Sequence, residues 1–190
     1  MPSPPPAQVR SDARSSERVL ESFDRIVDDA LEPSRGVPLA DLVSSVASAL
    51  GDHGLVWFLL GLRRARHAGR PRSVAIRAVA FAGVVTPLVN TSLKRTFGRV
   101  RPAQHDLPRL PVRIPRSESF PSGHALAAWC AATLLADSDP WAGGYYAIAT
   151  VISVSRAHLR LHHASDVVAG ALLGVGLGRL GRALFPIPIR

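Results

Sequence analysis

The run ASDVVAGALLGVGLGRL, residues 164–180, carries Gly170, Gly174 and Gly178 among Ala, Val and Leu, with Gly176 between them. Four-residue spacing stacks the first three on one face of a helix, where each glycine costs about 0.5–1 kcal/mol relative to alanine. Such a face is retained where a second helix comes in close against it, as small residues allow between helices in lipid. The chain must therefore supply other helices to meet it. Residues 38–50, 53–66, 72–97, 122–137 and 140–157 read as helices ahead of the last at 163–184. They are separated by Gly51-Asp52, the loop RRARHAGRPR, the Pro-rich RPAQHDLPRLPVRIPRSESFP and DSDP. No segment alternates as a strand does and no fixed-period repeat occurs, so the expected fold is an all-α multi-helix bundle.

A bilayer crossing needs about 20 mostly apolar residues. Residues 73–93 reach that length but contain Arg77, Pro87 and Asn90, and the runs 124–136 and 141–155 are shorter. The glycine-lined last helix, together with Trp57, Trp129, Trp141, Tyr145 and Tyr146 near helix ends as interfacial anchors, favours a transmembrane bundle over a soluble one. Ahead of the bundle, residues 1–16 are Pro/Ser-rich without the apolar core of a secretory signal, and read as a disordered tail. That argues against a soluble exported enzyme. Residues 17–36 form an amphipathic helix and linker, with Val19, Leu20, Phe23, Ile26, Val27, Ala30 and Leu31 at helical spacing; it lies on a membrane or packs on the body. Residues 37–190 are the helical domain.

Charge divides unevenly. Residues 1–52 carry five Arg against nine acids, and the remainder carries eighteen Lys and Arg against five acids, so the net +9 belongs to the apolar part and points to an anionic partner. Lys94 is the single lysine beside twenty-two arginines, and Cys130 is the single cysteine, in an apolar segment where packing is its expected role.

Three polar islands interrupt the apolar pattern: KRTFGRVRP at 94–102, PSGH at 121–124 and SRAHLRLHHASD at 155–166. If consecutive helices run antiparallel, all three fall at one end of the bundle, where bundles build pockets. Lys94, Arg101 and Arg156 can surround a phosphate with donors, although singly each resembles the basic residues that flank many such helices. Ser122 suits an N-cap and Gly123 lets backbone approach a ligand, giving a helix start able to hold an anion; His124 follows in its first turn. His162 and Asp166 stand at i, i+4, so in continuous helix they share a face and the carboxylate can orient the imidazole. A lone His-Asp pair would as readily be a structural cap. His158, His162 and His163 make a poor metal site because arginines surround them, so no metal is expected.

Taken together the islands resemble the type 2 phosphatidic acid phosphatases, which share their site with vanadium haloperoxidases and bacterial non-specific acid phosphatases. The family pattern Lys-x6-Arg-Pro, Pro-Ser-Gly-His and Ser-Arg-x5-His-x3-Asp is matched by Lys94 to Pro102, Pro121 to His124, and Ser155 to Asp166, with every fixed position present. The resemblance implies that His162 attacks phosphorus to form a phosphohistidine, Asp166 orients it and His124 protonates the leaving oxygen. It implies that Lys94, Arg101, Ser122, Gly123 and Arg156 hold the phosphoryl oxygens, with no metal or cofactor. His158 and His163 match no motif position and receive no catalytic role, and Arg160 and His163 read as bystanders.

The expected protein is a multi-pass cell-membrane phosphatase of a phosphorylated lipid, polyprenyl diphosphate or phosphatidate-type. Haloperoxidases resemble much longer chains, and a basic nucleic-acid-binding or other non-catalytic helical protein leaves the order and spacing of the islands unexplained. No nucleic-acid partner is therefore expected. RRARHAGRPR carries five arginines, but residues 94–116 carry seven Lys and Arg, five after removing the two ligands. Charge thus ties, and the extracytoplasmic orientation of the site rests on resemblance.

Overall fold

The structure is a computed structural model that describes residues 7–52, 54–67, 71–102 and 117–186. It is helical: α1 (Ala7–Leu31), α2 (Pro38–Gly51), α3 (Leu55–His67), α4 (Pro71–Ala78), α5 (Thr86–Phe97), α6 (Gly123–Leu135), α7 (Ala142–His158) and α8 (Ala164–Leu184). Among the described residues there is no strand. Most ends fall within two residues of the boundaries set by Gly, Pro and Asp. The exception is α1, which begins at Ala7, so residues 7–16 are helical where composition suggested a disordered tail; residues 1–6 lie outside the described part, as does most of the Pro-rich loop.

The expected helix 72–97 is interrupted. Between α4 and α5 the backbone widens into a π-helical stretch, Val79–Val85, with the Thr86 N–H bonded to Phe81 O five residues back. Pro87 has no N–H to offer the preceding turn and its ring crowds the carbonyl four residues back; a π turn absorbs both faults without ending the helix.

At the centre stands α6, apolar on every side and buried almost throughout, with α8 as its most extensive neighbour and α7 next. The α6–α8 contact is the one the glycines predicted. A Cβ on Gly170 would lie 2.5 Å from Ser122 O, on Gly174 2.4 Å from Leu126 O, and on Gly178 2.5 Å from the Thr133 side chain. Contacts that advance together along both helices mean that α6 and α8 run parallel, so both begin at the same end, and α7 returns between them. Gly176 faces open space and takes no part.

The opposite end is closed by ion pairs. Arg77, fully buried, bonds Asp137 at 2.7 Å and Leu134 O at 2.6 Å, and Arg64 bonds Asp139 at 2.9 Å. Trp57 (8% exposed) and Tyr145 (0%) lie in the core rather than at an interface; their apolar rings fill the space beside Ala128, Ala131 and Ile152. Of the aromatic anchors expected from sequence, Trp141 is the exposed one, stacked under Arg63 at 4.9 Å. Cys130 is buried on α6, as its apolar surroundings suggested. By length and composition α8 can cross a membrane, with mean hydropathy 1.4, and α2 with α3 forms a second apolar path bent by 68° at the Gly51–Gly54 corner.

A matched pair of variants checks the close contact. Gly174→Val should destabilise the fold by about 1–3 kcal/mol through overpacking against Leu126 O, whereas Gly176→Ala should be neutral or stabilise by about 0.5–1 kcal/mol. Thermal unfolding in detergent reads both.

Candidate active site

All three islands meet at the end of the bundle where α6 and α8 begin. Lys94 stands in the last turn of α5, and its ammonium donates to Glu118 O. Arg101 follows Gly98, whose φ of +54° turns the chain off α5 at no Cβ cost. Its guanidinium donates to Leu161 O, to Ser117 O at 2.9 Å, to Glu118 O at 3.1 Å and to His162 Nε2 at 3.2 Å. Arg156 is in the last turn of α7, 1% exposed, with Nη1 donating to Ser48 Oγ of α2. Its carbonyl takes the N–H groups of both Leu161 and His162, which fixes the turn that carries His162.

Ser122 occupies the N-cap position of α6 but makes no capping bond, and Gly123 and His124 open the helix. Asn90 packs so close to Gly123 that a Cβ there would meet its amide at 2.9 Å. The Ser122 N–H donates to Asp166 O at 3.0 Å, tying the starts of α6 and α8 directly together. The start of α8 is met by carboxylates, Asp24 on the Ser165 N–H and Asp166 on the His163 N–H, whereas the Ser122 side chain makes no capping bond at the start of α6, whose positive end favours an anion.

His162 is not helical. It lies in the turn before α8, so the condition of continuous helix from His162 to Asp166 is not met, yet the pair still meets: Nδ1 is 3.7 Å from Asp166 Oδ2. A guanidinium can only donate, so the Arg101 contact makes Nε2 the lone-pair nitrogen and leaves the proton on Nδ1, facing the carboxylate. Asp166, 0% exposed, is held by Ser119 Oγ at 2.5 Å, by the His163 N–H at 3.0 Å and by Arg99 at 2.6 Å. Burial pushes the His162 imidazole down to about 4, and Arg101 and Arg156 push the same way against the Asp166 carboxylate.

Several buried donors here have no hydrogen-bond partner among the described residues: Arg156 Nε and Nη2 and Ser122 Oγ. Buried polar groups are nearly always bonded, and Arg156 and Ser122 belong to the turns that carry His162 and His124. An oxyanion with several acceptor oxygens fits that set. Beside it, from His124 and Asn90, an apolar cavity of about 720 Å³ runs between α3, the π turn and α6, lined by Trp57, Phe58, Leu62 and Ala82.

The PAP2 superfamily model matches residues 75–187, more than half of the chain and all three islands. The chain belongs to the PAP2 superfamily. Within that superfamily it is 33% identical over 138 residues to a decaprenylphosphoryl-5-phosphoribose phosphatase of Mycobacterium tuberculosis, covering 70% of this chain and 73% of that one. It is also 33% identical over 132 residues to a lipid A 1-phosphatase of Porphyromonas gingivalis, covering 64% of this chain but 27% of that longer protein. A transmembrane PAP2 type phosphatidylglycerolphosphate phosphatase from Bacillus subtilis has the same fold, with TM-score 0.67 and 24% identity over 87% of this chain and 86% of that one. The protein is a phosphatase of the PAP2 superfamily.

Sequence reasoning missed four residues of this PAP2 site. Asp52, at the α2–α3 corner, bonds His124 Nε2 at 2.9 Å, and Ser48 holds Arg156. Ser119 and Arg99 hold Asp166. The only signal for Asp52 was an acid at a helix break inside an apolar stretch. Among the histidines outside the PAP2 motifs, His158 bonds Asp41 at 2.8 Å and Ser34 at 3.2 Å, joining α7 to α2 and to the turn after α1. The His163 N–H donates to Asp166 at the start of α8, and its ring Nε2 lies 3.3 Å from Val100 O. Arg160 bonds Glu32 at 2.7 Å.

The depressed His162 basicity has a measurable sign. As pH falls below 6.5 the unfolded chain takes up a proton that folded His162 refuses until about 4, so His162 subtracts stability across that window. In ¹⁵N-histidine spectra of the free protein, the His162 ring should stay neutral with Nδ1 protonated at pH 6 and titrate only near 4; an imidazolium at pH 6 would refute the geometry above.

Proposed function

We propose that the protein is a multi-pass membrane enzyme hydrolysing the phosphate or diphosphate of a lipid, of polyprenyl or phosphatidate type, through a phosphohistidine. The observation that carries this reading is the buried donor set of Arg156, whose carbonyl holds the His162 N–H, and Ser122, which precedes the Gly123 and His124 that line a large apolar cavity. A phosphate satisfies the first and a hydrocarbon chain the second. The relatives' lipid substrates, a decaprenyl-linked sugar phosphate and lipid A, have the same two parts.

His162 Nε2 carries the lone pair and is the nucleophile we assign; as Nε2 bonds phosphorus and the bond to the leaving oxygen breaks, the ring becomes cationic with its proton still on Nδ1, and the ionised Asp166 stabilises that charge. Lys94, Arg101, Arg156, Ser122 Oγ and the Gly123 end of α6 hold the phosphoryl oxygens and the charge that builds on them in the transition state. These cations meet the substrate's negative charge with protein groups, so the chemistry requires no metal. His124 borders both the anion space and the apolar cavity, the position from which a proton reaches the leaving oxygen of a lipid, and Asp52 holds its ring. Water then cleaves the phosphoenzyme. Arg63, Arg64 and Arg66 lie toward the opposite end; since loop charge ties, we take the active end as extracytoplasmic because the resemblance implies it.

Purified protein assayed against phosphatidate, a polyprenyl phosphate and a polyprenyl diphosphate should hydrolyse at least one. The activity should survive EDTA and be inhibited by vanadate; dependence on added Mg²⁺ or Zn²⁺ would sink the mechanism. His162→Ala should form no phosphoenzyme and turn over none of the substrates, while His163→Ala retains most activity.

The two histidines separate by leaving group. General acid catalysis is worth about 10²–10⁴-fold, and para-nitrophenolate leaves without it. His124→Ala should therefore lose that factor on a lipid alkyl phosphate and much less on para-nitrophenyl phosphate. Equal losses on both would make His124 a phosphate ligand or a structural group, and kcat with burst kinetics decides between them.

A further inference from the structure

Asp166 is gripped at both oxygens. Ser119 and the His163 N–H take Oδ2, the oxygen nearest His162, and Arg99 Nη1 takes Oδ1. Ser119 and His163 neighbour fixed motif positions, whereas Arg99 sits in the variable spacer of the first motif. Its guanidinium is divided between three partners. Nη1 also meets Ser165 Oγ at 2.7 Å, and Nη2 meets Asp24 Oδ2 at 2.6 Å. Asp24 in turn accepts the Ser165 N–H at 2.7 Å and the Ser165 hydroxyl at 2.9 Å, supplying an acceptor to an amide in the first turn of α8 that no intrahelical carbonyl reaches. Asp24 belongs to α1, outside residues 75–187, and it is buried on a helix whose described residues are otherwise mostly exposed.

We infer that Asp24 and Arg99 are positioning residues for the His162–Asp166 pair, and that α1 is thereby a working part of the active site. The inference rests on the reading of His162 as nucleophile. Left to itself, a guanidinium beside a carboxylate forms a bidentate pair; Arg99 in that pose would draw both Asp166 oxygens away from His162. Asp24 occupies the second arm and offsets the positive charge. Arg99 then offers Asp166 one arm, and Oδ2 stays turned toward the imidazole. The charged groups around His162 are Arg101 from the loop after α5, Arg156 from α7 and Asp166 from α8, with Arg99 and Asp24 behind Asp166.

The test uses the full chain in detergent micelles with para-nitrophenyl phosphate, comparing Asp24→Asn, Arg99→Gln and the double variant. Asparagine keeps the shape and an oxygen for the Ser165 amide, so Asp24→Asn removes the charge and spares the fold; thermal unfolding confirms that. Each single variant should lose about tenfold or more in kcat with KM within about twofold, because neither residue touches phosphate. Since Asp24 acts through Arg99, the double variant should be no slower than Arg99→Gln. Asp29→Asn, an exposed change on the same helix, should leave kcat unchanged.

A second readout separates positioning from mere support. His162 should titrate lower in Asp24→Asn, where the Arg99 charge is uncompensated, and higher in Arg99→Gln, where it is gone. A structural role moves both the same way. Unchanged kcat in Asp24→Asn, additive losses, or shifts of one sign would each overturn the inference. Phosphoenzyme trapping on wild-type protein comes first. A wild type without phosphohistidine at His162 removes the nucleophile reading itself, whereas a wild type that has it, with an unaffected Asp24→Asn, removes only the role of α1.

Discussion

A Cβ on Gly174 would fall 2.4 Å from the carbonyl oxygen of Leu126, so α6 and α8 run at a separation that only glycine permits. The site depends on that separation. Because the two helices are parallel and nearly touching, their first turns are bonded backbone to backbone through Ser122 and Asp166. That one bond puts the helix start bearing His124 and the carboxylate facing His162 within a single rigid frame. Widening the contact would leave each half of the site intact and the two halves apart.

On this frame the charges are arranged so that some are satisfied and some are not. Asp166 and Asp24 share the one Arg99 guanidinium and are held further by Ser119, the His163 N–H and the Ser165 N–H, so both buried carboxylates are satisfied. The opposite end of the bundle does the same with Arg64, Arg77, Asp137 and Asp139. Arg156 is different. It is 1% exposed and joined to Ser48 through one nitrogen, with Nε and Nη2 left without a hydrogen-bond partner among the described residues. Burying a guanidinium in that state costs stability, a cost that the oxyanion proposed to bind there would offset. Preorganised donors of this kind need no rearrangement during reaction, which is why they stabilise developing charge more effectively than water does.

Two breaks in regular helix shape the approach to this space. The α2–α3 corner turns the chain by 68° and delivers Asp52 to His124. The π turn before Pro87 widens the α4–α5 helix where it borders the apolar cavity. Each is an irregularity in an apolar segment, and each lines the cavity that opens at His124.

The sequence alone determined the helices, since Pro, Gly and Asp mark most of their ends, and it determined the fixed motif residues, since their spacing is local to each island. It also implied that the islands share an end, because counting antiparallel helices needs only their number. The glycine face of α8 foretold a close helix neighbour without naming α6. Tertiary structure decided the rest. Asp52 meets His124 across 72 residues, Ser119 meets Asp166 across 47, Arg99 meets Asp166 across 67, and Asp24 meets Ser165 across 141. No periodicity encodes such pairings; they exist because packing brings distant surfaces into contact. The same holds for His162 and Asp166, which meet through a turn that Arg156 O and Arg101 shape, and not through the continuous helix that i, i+4 spacing suggested. It holds too for Trp57 and Tyr145, whose aromatic character suits an interface or a core equally until neighbouring helices close over them.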